Sequence, residues 1–187
     1  ERMRDELGIP VIYISHSLAE VARLATTVVL LDQGRVTAAG PAAEVLADPA
    51  TAPLLGLRNA GAILQARLVA HEADGLSRLE CSAGALLLPR VAHPVGASLR
   101  LRILAQDVMI ATRRPEQISA LNILPCTVTD IRIGEGPGAI VQLRAGEEML
   151  IARVTRRSVA ELGLAAGSAV FAVLKAVSVA QENVGAG

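Results

Sequence analysis

The sequence predicts a short α/β segment followed by an all-β region of two five-stranded modules. Three observations carry this reading. The chain changes character near residue 57, from alternating helix and strand signals to short apolar runs separated by Gly-rich turns. A shift of 71 residues then carries Gly96 onto Gly167, Leu99 onto Val170, Leu101 onto Ala172, Ile103 onto Leu174, Ala105 onto Ala176 and Val108 onto Val179 without a gap. Such a repeat means that one supersecondary unit occurs twice. Finally, Leu99, Leu101 and Ile103 alternate with Ser98, Arg100 and Arg102, the period-two pattern of a strand with one buried and one wet face.

The leading segment, residues 1–57, is read in order. Pro10 precedes Val11-Ile12-Tyr13-Ile14, an apolar run that suits a strand buried on both faces. Ser17 and Glu20 form a capping box, and Leu18, Val21, Ala22 and Ala25 share one helical face behind it. Thr27–Leu31 is a second buried strand. The turn Asp32-Gln33-Gly34-Arg35 returns the chain as an antiparallel strand, Val36–Ala39. Gly40-Pro41 opens a second helix with Glu44 in its first turn, and Asp48-Pro49 stops it. One fragment of this size cannot cover a sheet on both faces. It is expected to be the last piece of a larger α/β domain, in a chain that is itself a C-terminal fragment.

The region 58–187 is read as two modules, at about 60–114 and 119–182. The first has strands at Ile63–His71, Leu76–Cys81, Ala85–Val91, Ser98–Leu104 and Asp107–Thr112. The second has them at Cys126–Ile133, Ala139–Arg144, Glu147–Val154, Ala169–Lys175 and Val177–Ala180. Five short strands at this spacing suit a small barrel of the oligonucleotide/oligosaccharide-binding (OB) type. The second copy inserts Thr155–Gly163, where Ser158 and Glu161 are read as a capping box and Gly163 as the end of a helical turn.

Composition narrows the function. Eighteen basic and eighteen acidic side chains cancel, which argues against a nucleic-acid partner. Tyr13 and Phe171 are the only aromatic residues, so no platform for stacking bases or sugars can be built. A ligand would be small and polar, held by amides, hydroxyls and cations. No uncharged apolar run approaches the ~18–20 residues that span a bilayer, and residues 1–6 do not read as a signal peptide. Cys81 and Cys126 form no Cys-x-x-Cys pair, and both fit as small buried hydrophobes in a reducing cytoplasm. His71 and His93 have no convergent metal-binding partners in the text. Arg100 and Arg102 read as a solvated face together with Arg113 and Arg114.

Two resemblances then cover nearly the whole chain. Val11-Ile12-Tyr13-Ile14-Ser15-His16-Ser17-Leu18 with Glu20, Leu24-Ala25, Val28–Leu31 and Gly34-Arg35-Val36 resembles the end of an ABC transporter ATPase domain. The resemblance implies that His16 is the switch histidine that meets the γ-phosphate of ATP. Arg102–Val108, Ser119–Pro125, Val154–Ser158, Leu162–Leu164, Gly167 and Leu174–Val179 resemble the tandem mop, or TOBE, domain that follows the ATPase in molybdate importers. The family that carries both pieces in this order is the ATP-binding subunit of molybdate importers. It implies a cytoplasmic location at the inner face of the membrane, contact with a permease, and a homodimer.

The Gly-x-x-x-x-Gly-Lys-Ser/Thr phosphate loop, the Leu-Ser-Gly-Gly-Gln signature and the acidic end of the Walker B strand are not found in these residues. The chain as given is therefore expected not to be an enzyme, with ATP and Mg²⁺ bound only by an intact parent-type subunit. Molybdate or tungstate is the expected ligand. A tetrahedral dianion offers four acceptor oxygens and no donor, so it needs converging N–H and O–H groups and a cation. The resemblance assigns these to Ser119, Asn122, Thr155, Ser158, Lys175, Ala176 and Ser178. Lys175 is read as a cation within an apolar strand, costly unless it meets an anion. The family's Ser-x-Arg-Asn reads Ser119-Ala120-Leu121-Asn122 here, so a guanidinium is missing. Two alternatives stand beside this reading: a purely structural dimerisation role, and the accessory domain of a sugar- or polyamine-type importer.

Overall fold

The computed structural model describes residues 10–56, 59–180 and 183–186. Val11–Ile14 is not a strand. It runs without regular structure, with Ile12 95% and Ile14 93% exposed. A buried strand needs neighbours on both edges and both faces, and among the described residues nothing pairs with this run. Helix α1 (Leu18–Leu24) starts as expected at Ser17, whose Oγ accepts the Glu20 N–H at 3.4 Å. The return half of the capping box differs. The Ser17 N–H donates to Ser15 Oγ at 3.0 Å, while the Glu20 carboxylate takes the hydroxyls of Tyr13 at 2.7 Å and Ser15 at 2.8 Å.

Strands β1 (Thr27–Asp32) and β2 (Arg35–Pro41) form a two-stranded antiparallel hairpin. Its two turn residues, Gln33 and Gly34, both have positive φ, at 47° and 76°. That is the turn geometry that matches the natural twist of a hairpin. Helix α2 (Ala42–Ala47) follows and ends at Asp48, and a single turn, α3 (Ala52–Leu55), comes next. Ala22, Val28, Ala42, Val45 and Leu46 pack with Ile63 into a small core of their own.

The all-β part contains β3 (Gly61–His71), β4 (Leu76–Cys81), β5 (Gly84–Pro89), β6 (Ser98–Leu104), β7 (Met109–Ala111), β8 (Asn122–Ile133), β9 (Gly138–Ala145), β10 (Glu148–Thr155), β11 (Ala169–Leu174) and β12 (Val184–Ala186). A six-residue helix, α4 (Arg156–Glu161), lies between β10 and β11. The ten strands make two five-stranded antiparallel sheets, in the orders β12-β6-β3-β4-β5 and β10-β9-β8-β11-β7. These are the tandem OB-like modules.

The modules exchange strands. β7, expected in the first module, pairs with β11 of the second, Ala111 opposite Phe171. The expected strand Val177–Ala180 is a 3₁₀ turn at Ala176–Ser178, and the exchanged strand is β12, paired with β6. A matching 3₁₀ turn at Ala105–Asp107 redirects the chain after β6. Alternation identifies strands but says nothing about which sheet edge they join, so the exchange could not be read from it. The repeat itself is exact in hydrogen bonding. Leu68 N–H to Ala97 O and Gly96 N–H to Leu68 O, at 2.9 and 2.8 Å, recur as Val128 N–H to Ser168 O and Gly167 N–H to Val128 O at 2.9 and 2.8 Å. A bulge follows at the same place in both, at Leu68/Ala70 and Val128/Asp130.

Leu64, Leu79 and Leu101 of one sheet share a single core with Leu124, Leu143 and Leu150 of the other. The tips of two related hairpins also meet. Gly146, at φ 60°, lies so close to the Ser82 carbonyl that a Cβ would collide with it, and the Glu147 N–H donates to Ser82 Oγ at 3.0 Å.

Arg100 and Arg102 are buried, only 7% and 9% exposed, and not a solvated face. The leading segment and the chain around Asn59 and Asn183 cover the outer side of β6. Arg100 donates to the Ala25 carbonyl, the C-cap of α1, at 2.7 Å. Arg102 donates to the Asn59 carbonyl at 2.7 Å and to Asn183 Oδ1 at 3.3 Å. A cation at a helix C-terminus meets unpaired carbonyls and the negative end of the helix dipole. Gln142 makes the corresponding bond on the second module, from Nε2 to the Ala47 carbonyl at the end of α2, at 2.8 Å. The α/β segment is thus tied to both sheets.

Candidate functional site

The pairing of β8 with β11 decides which expected residues come together. Asn122 lies opposite Leu174, so Ser119–Leu121, just before β8, and Lys175–Ser178, just after β11, emerge at the same end of that strand pair. Ser119 and Lys175 are exposed and Ser178 is half-buried. Lys175 is not inside a strand: β11 stops at Leu174 and Lys175 leads the 3₁₀ turn. Its position carries no burial penalty, and the ammonium is open to an anion from solvent.

Asn122 has a different role from a free donor. It is 1% exposed, and its amide pairs with the Leu87 backbone, Nδ2 to the carbonyl at 2.9 Å and Oδ1 from the N–H at 2.7 Å. It ties β8 to β5 of the other module. A buried amide must satisfy both ends, and Leu87 supplies both partners.

Thr155 and Ser158 sit elsewhere. Thr155 is opposite Gly138, and the start of β9 in turn lies beside Ile133, the far end of β8 from Asn122. Twelve residues of β8 separate the two places, roughly 35–40 Å measured along a strand. The cap is also assigned differently. Thr155, not Ser158, is the N-cap of α4. Its Oγ1 accepts the Ser158 N–H at 3.0 Å and lies 2.8 Å from Ser158 Oγ. Ser158 is the third helical residue. Gly163 does end the turn, at φ 60°.

His16 is exposed at the start of α1, next to the Ser17 cap. Among the described residues no phosphate-binding loop faces it. His71 is structurally engaged: Nδ1 lies 2.9 Å from Ser77 Oγ and Nε2 3.0 Å from the His93 carbonyl. A surface depression lined by Glu72, Ala73, Asp74, Arg78 and Leu87 holds two carboxylates against one guanidinium, and Arg78 already meets Glu72 at 3.4 Å. It does not suit an anion. Among the described residues no group of three His, Cys, Asp or Glu side chains could hold a metal, and no helix is long and apolar enough to cross a membrane. The thiols of Cys81 and Cys126 are both pushed up, chiefly by burial. A raised thiol is the opposite of what activates a cysteine nucleophile.

Sequence reasoning missed Arg100 and Gln142 as the groups that hold the two helix ends. The available signal was indirect. Arginine and glutamine in strands look solvated unless the covering element is known.

Residues 118–181 match the family model of the TOBE domain. The chain is 46% identical, over all of its length, to a molybdenum import ATP-binding protein ModC of Mesorhizobium japonicum, and covers 51% of that protein. It is 45% identical to the ModC of Rhizobium meliloti over 95% of this chain and 50% of the relative. The chain spans about half the length of the curated relatives it matches. Among solved structures it is similar to the cytoplasmic molybdate-binding protein ModG, in a form with molybdate bound. The TM-score is 0.57 at 25% identity, over 67% of this chain and 95% of that one.

Proposed function

We propose that this chain is the C-terminal part of a molybdenum import ATP-binding protein, a reading supported by its 46% identity to one such protein over about half of that protein's length and by the TOBE match at residues 118–181. Its β modules form a regulatory region of a molybdate importer that binds a tetrahedral oxyanion, molybdate or tungstate. The observation that carries this reading is the β8–β11 register. It brings Ser119 and the Lys175–Ser178 turn to one end of the second module, in a fold shared with a molybdate-binding protein.

Lys175 supplies charge, Ser119 and Ser178 supply hydroxyl donors, and the Ala176 amide supplies an N–H. Asn122 acts by holding the junction to Leu87. Thr155 and Ser158 lie too far along the sheet to join them within one chain, so they contribute from a second copy. A homodimer is therefore part of this reading. The exposed run Val11–Ile14 adds apolar surface that favours association.

The wider role follows from the relatives. The parent-type subunit would work at the cytoplasmic face of the membrane against a permease, with ATP and Mg²⁺ in its preceding domain and His16 at the γ-phosphate. The present chain is a binding and regulatory module, not an enzyme. Oxyanion binding would bias the ATPase dimer only if its two states hold the anion differently. Arg100 and Gln142, on the two modules, are placed to pass such a difference to α1 and α2.

Calorimetric titration with molybdate, tungstate and sulfate tests the reading. Saturable heat with the first two, lost in Lys175→Ala and strengthened in Leu121→Arg, is the expected result. A heat that is absent, or unchanged in both variants, would refute it.

A further inference from the structure

The two 3₁₀ turns are equivalent in backbone and unequal in chemistry. Leu104 and Lys175 lead them with φ/ψ of −74°/138° and −74°/139°. Val108 and Val179 follow them at −92°/114° and −88°/101°. Each turn reaches across the module boundary, the first packing against β10 and the second against β5. The molecule therefore has two turns with matching backbone geometry at their ends. The shift of 71 residues sets Leu104, Gln106 and Asp107 where the second turn has Lys175, Val177 and Ser178. The preceding segments relate by the bulge register, which sets Asn59 opposite Ser119 and Gly61 opposite Leu121.

At the second turn a cation and a hydroxyl are available to an anion. At the first, the cation is replaced by an apolar side chain and the hydroxyl by a half-buried carboxylate. Burial pushes the Asp107 carboxyl up, so this group is already held in a poorly solvated place. A dianion brought beside it would add like-charge repulsion.

We propose that the two repeat-related turns are functionally unequal: the Lys175–Ser178 turn takes one tetrahedral oxyanion, and Asp107 closes the Ala105–Asp107 turn to anions. The chain then binds a single equivalent although its fold offers two sites. This rests on the reading above, that the second turn is an oxyanion site.

The test counts molybdenum bound per chain, by equilibrium dialysis of the 187-residue protein against molybdate at fixed salt. One equivalent is expected for the wild type and two for Leu104→Lys combined with Asp107→Ser. Ser178→Asp, which copies the closed turn into the open one, should bind none, while Ser178→Ala still binds, more weakly. Melting curves followed by circular dichroism establish that each variant is folded. If the double variant does not fold, the Ser178→Asp and Ser178→Ala pair decides alone. Two equivalents in the wild type would overturn the inequality and leave the oxyanion reading standing. A folded double variant with one equivalent, or Ser178→Asp binding like the wild type, would also overturn it. No binding by the wild type would overturn both.

Discussion

The leading segment and the β modules are held together in opposite ways. In the modules, two sheets close on one continuous core in which Leu64, Leu99, Leu143 and Leu150 have no exposed surface. In the segment, Val11, Ile12, Ile14, Leu31 and Val36 are all more than half exposed, and its own core is a small cluster that borrows Ile63 from β3. The segment therefore depends on the modules for order: on Ile63 and on polar bonds to the ends of its helices. Similar apolar composition thus yields different burial, because burial needs partner surfaces as well as hydrophobic side chains.

The largest expected effect separates the two regions. Leu143→Ala should destabilise the protein by about 2–5 kcal/mol, the usual cost of emptying a packed core site. Ile12→Ser should change unfolding by less than about 0.5 kcal/mol, as exposed substitutions do. Denaturant melts of both variants measure this. A large loss on Ile12→Ser would mean that the segment has a covering partner already.

A second variant works at the joint. Arg100→Met keeps bulk but removes the bond to Ala25, and should cost about 1.5–3 kcal/mol for a charged hydrogen bond. Amide exchange should speed up in α1 before it does so in β3. Equal acceleration everywhere would show that segment and modules form one cooperative unit.

Thr155→Ala sharpens the assignment of the helix cap. It should cost about 1 kcal/mol, while Ser158→Ala costs less, because the Ser158 N–H donates to Thr155 and not the reverse. The opposite order in thermal melts would restore Ser158 as the cap.

The smallest effect is a pH dependence at the junction. Glu148 accepts the Gln65 N–H at 3.4 Å, and burial pushes its carboxyl above the ordinary value, with Glu147 adding repulsion. A raised carboxyl holds its proton longer in the folded than in the unfolded state. Its contribution is therefore favourable in acid and is lost as pH rises through the folded-state value. Glu148→Gln should stabilise the protein slightly at pH 7 and lose that advantage as pH falls through the carboxylate range. A benefit that grows in acid would contradict the sign.

Much of the fold was legible where local chemistry determines it. The Ser17 cap, the Asp32–Arg35 turn, the alternation of Leu99–Ile103 and the repeat all act over a few residues. Val11–Ile14 failed because composition reports what a run could bury, not whether a neighbour is there. The strand exchange failed because alternation does not say which sheet edge β7 joins, and because β12 is a three-residue strand, Val184–Ala186, beyond the residues read as the second module. Of the candidate site, Ser119 and Lys175–Ser178 fall together as their strand pairing requires. Thr155 and Ser158 fall at the other end, since their separation depends on the order β10-β9-β8, which the text does not encode.

The most direct test of the account is a molybdate titration followed by amide chemical shifts of the isotopically labelled chain. Saturable shifts at Ser119–Asn122 and Lys175–Ser178, absent in Lys175→Ala, are the predicted result. Shifts confined to other places, such as the depression at Glu72–Arg78, or no saturable shifts at all, would contradict it.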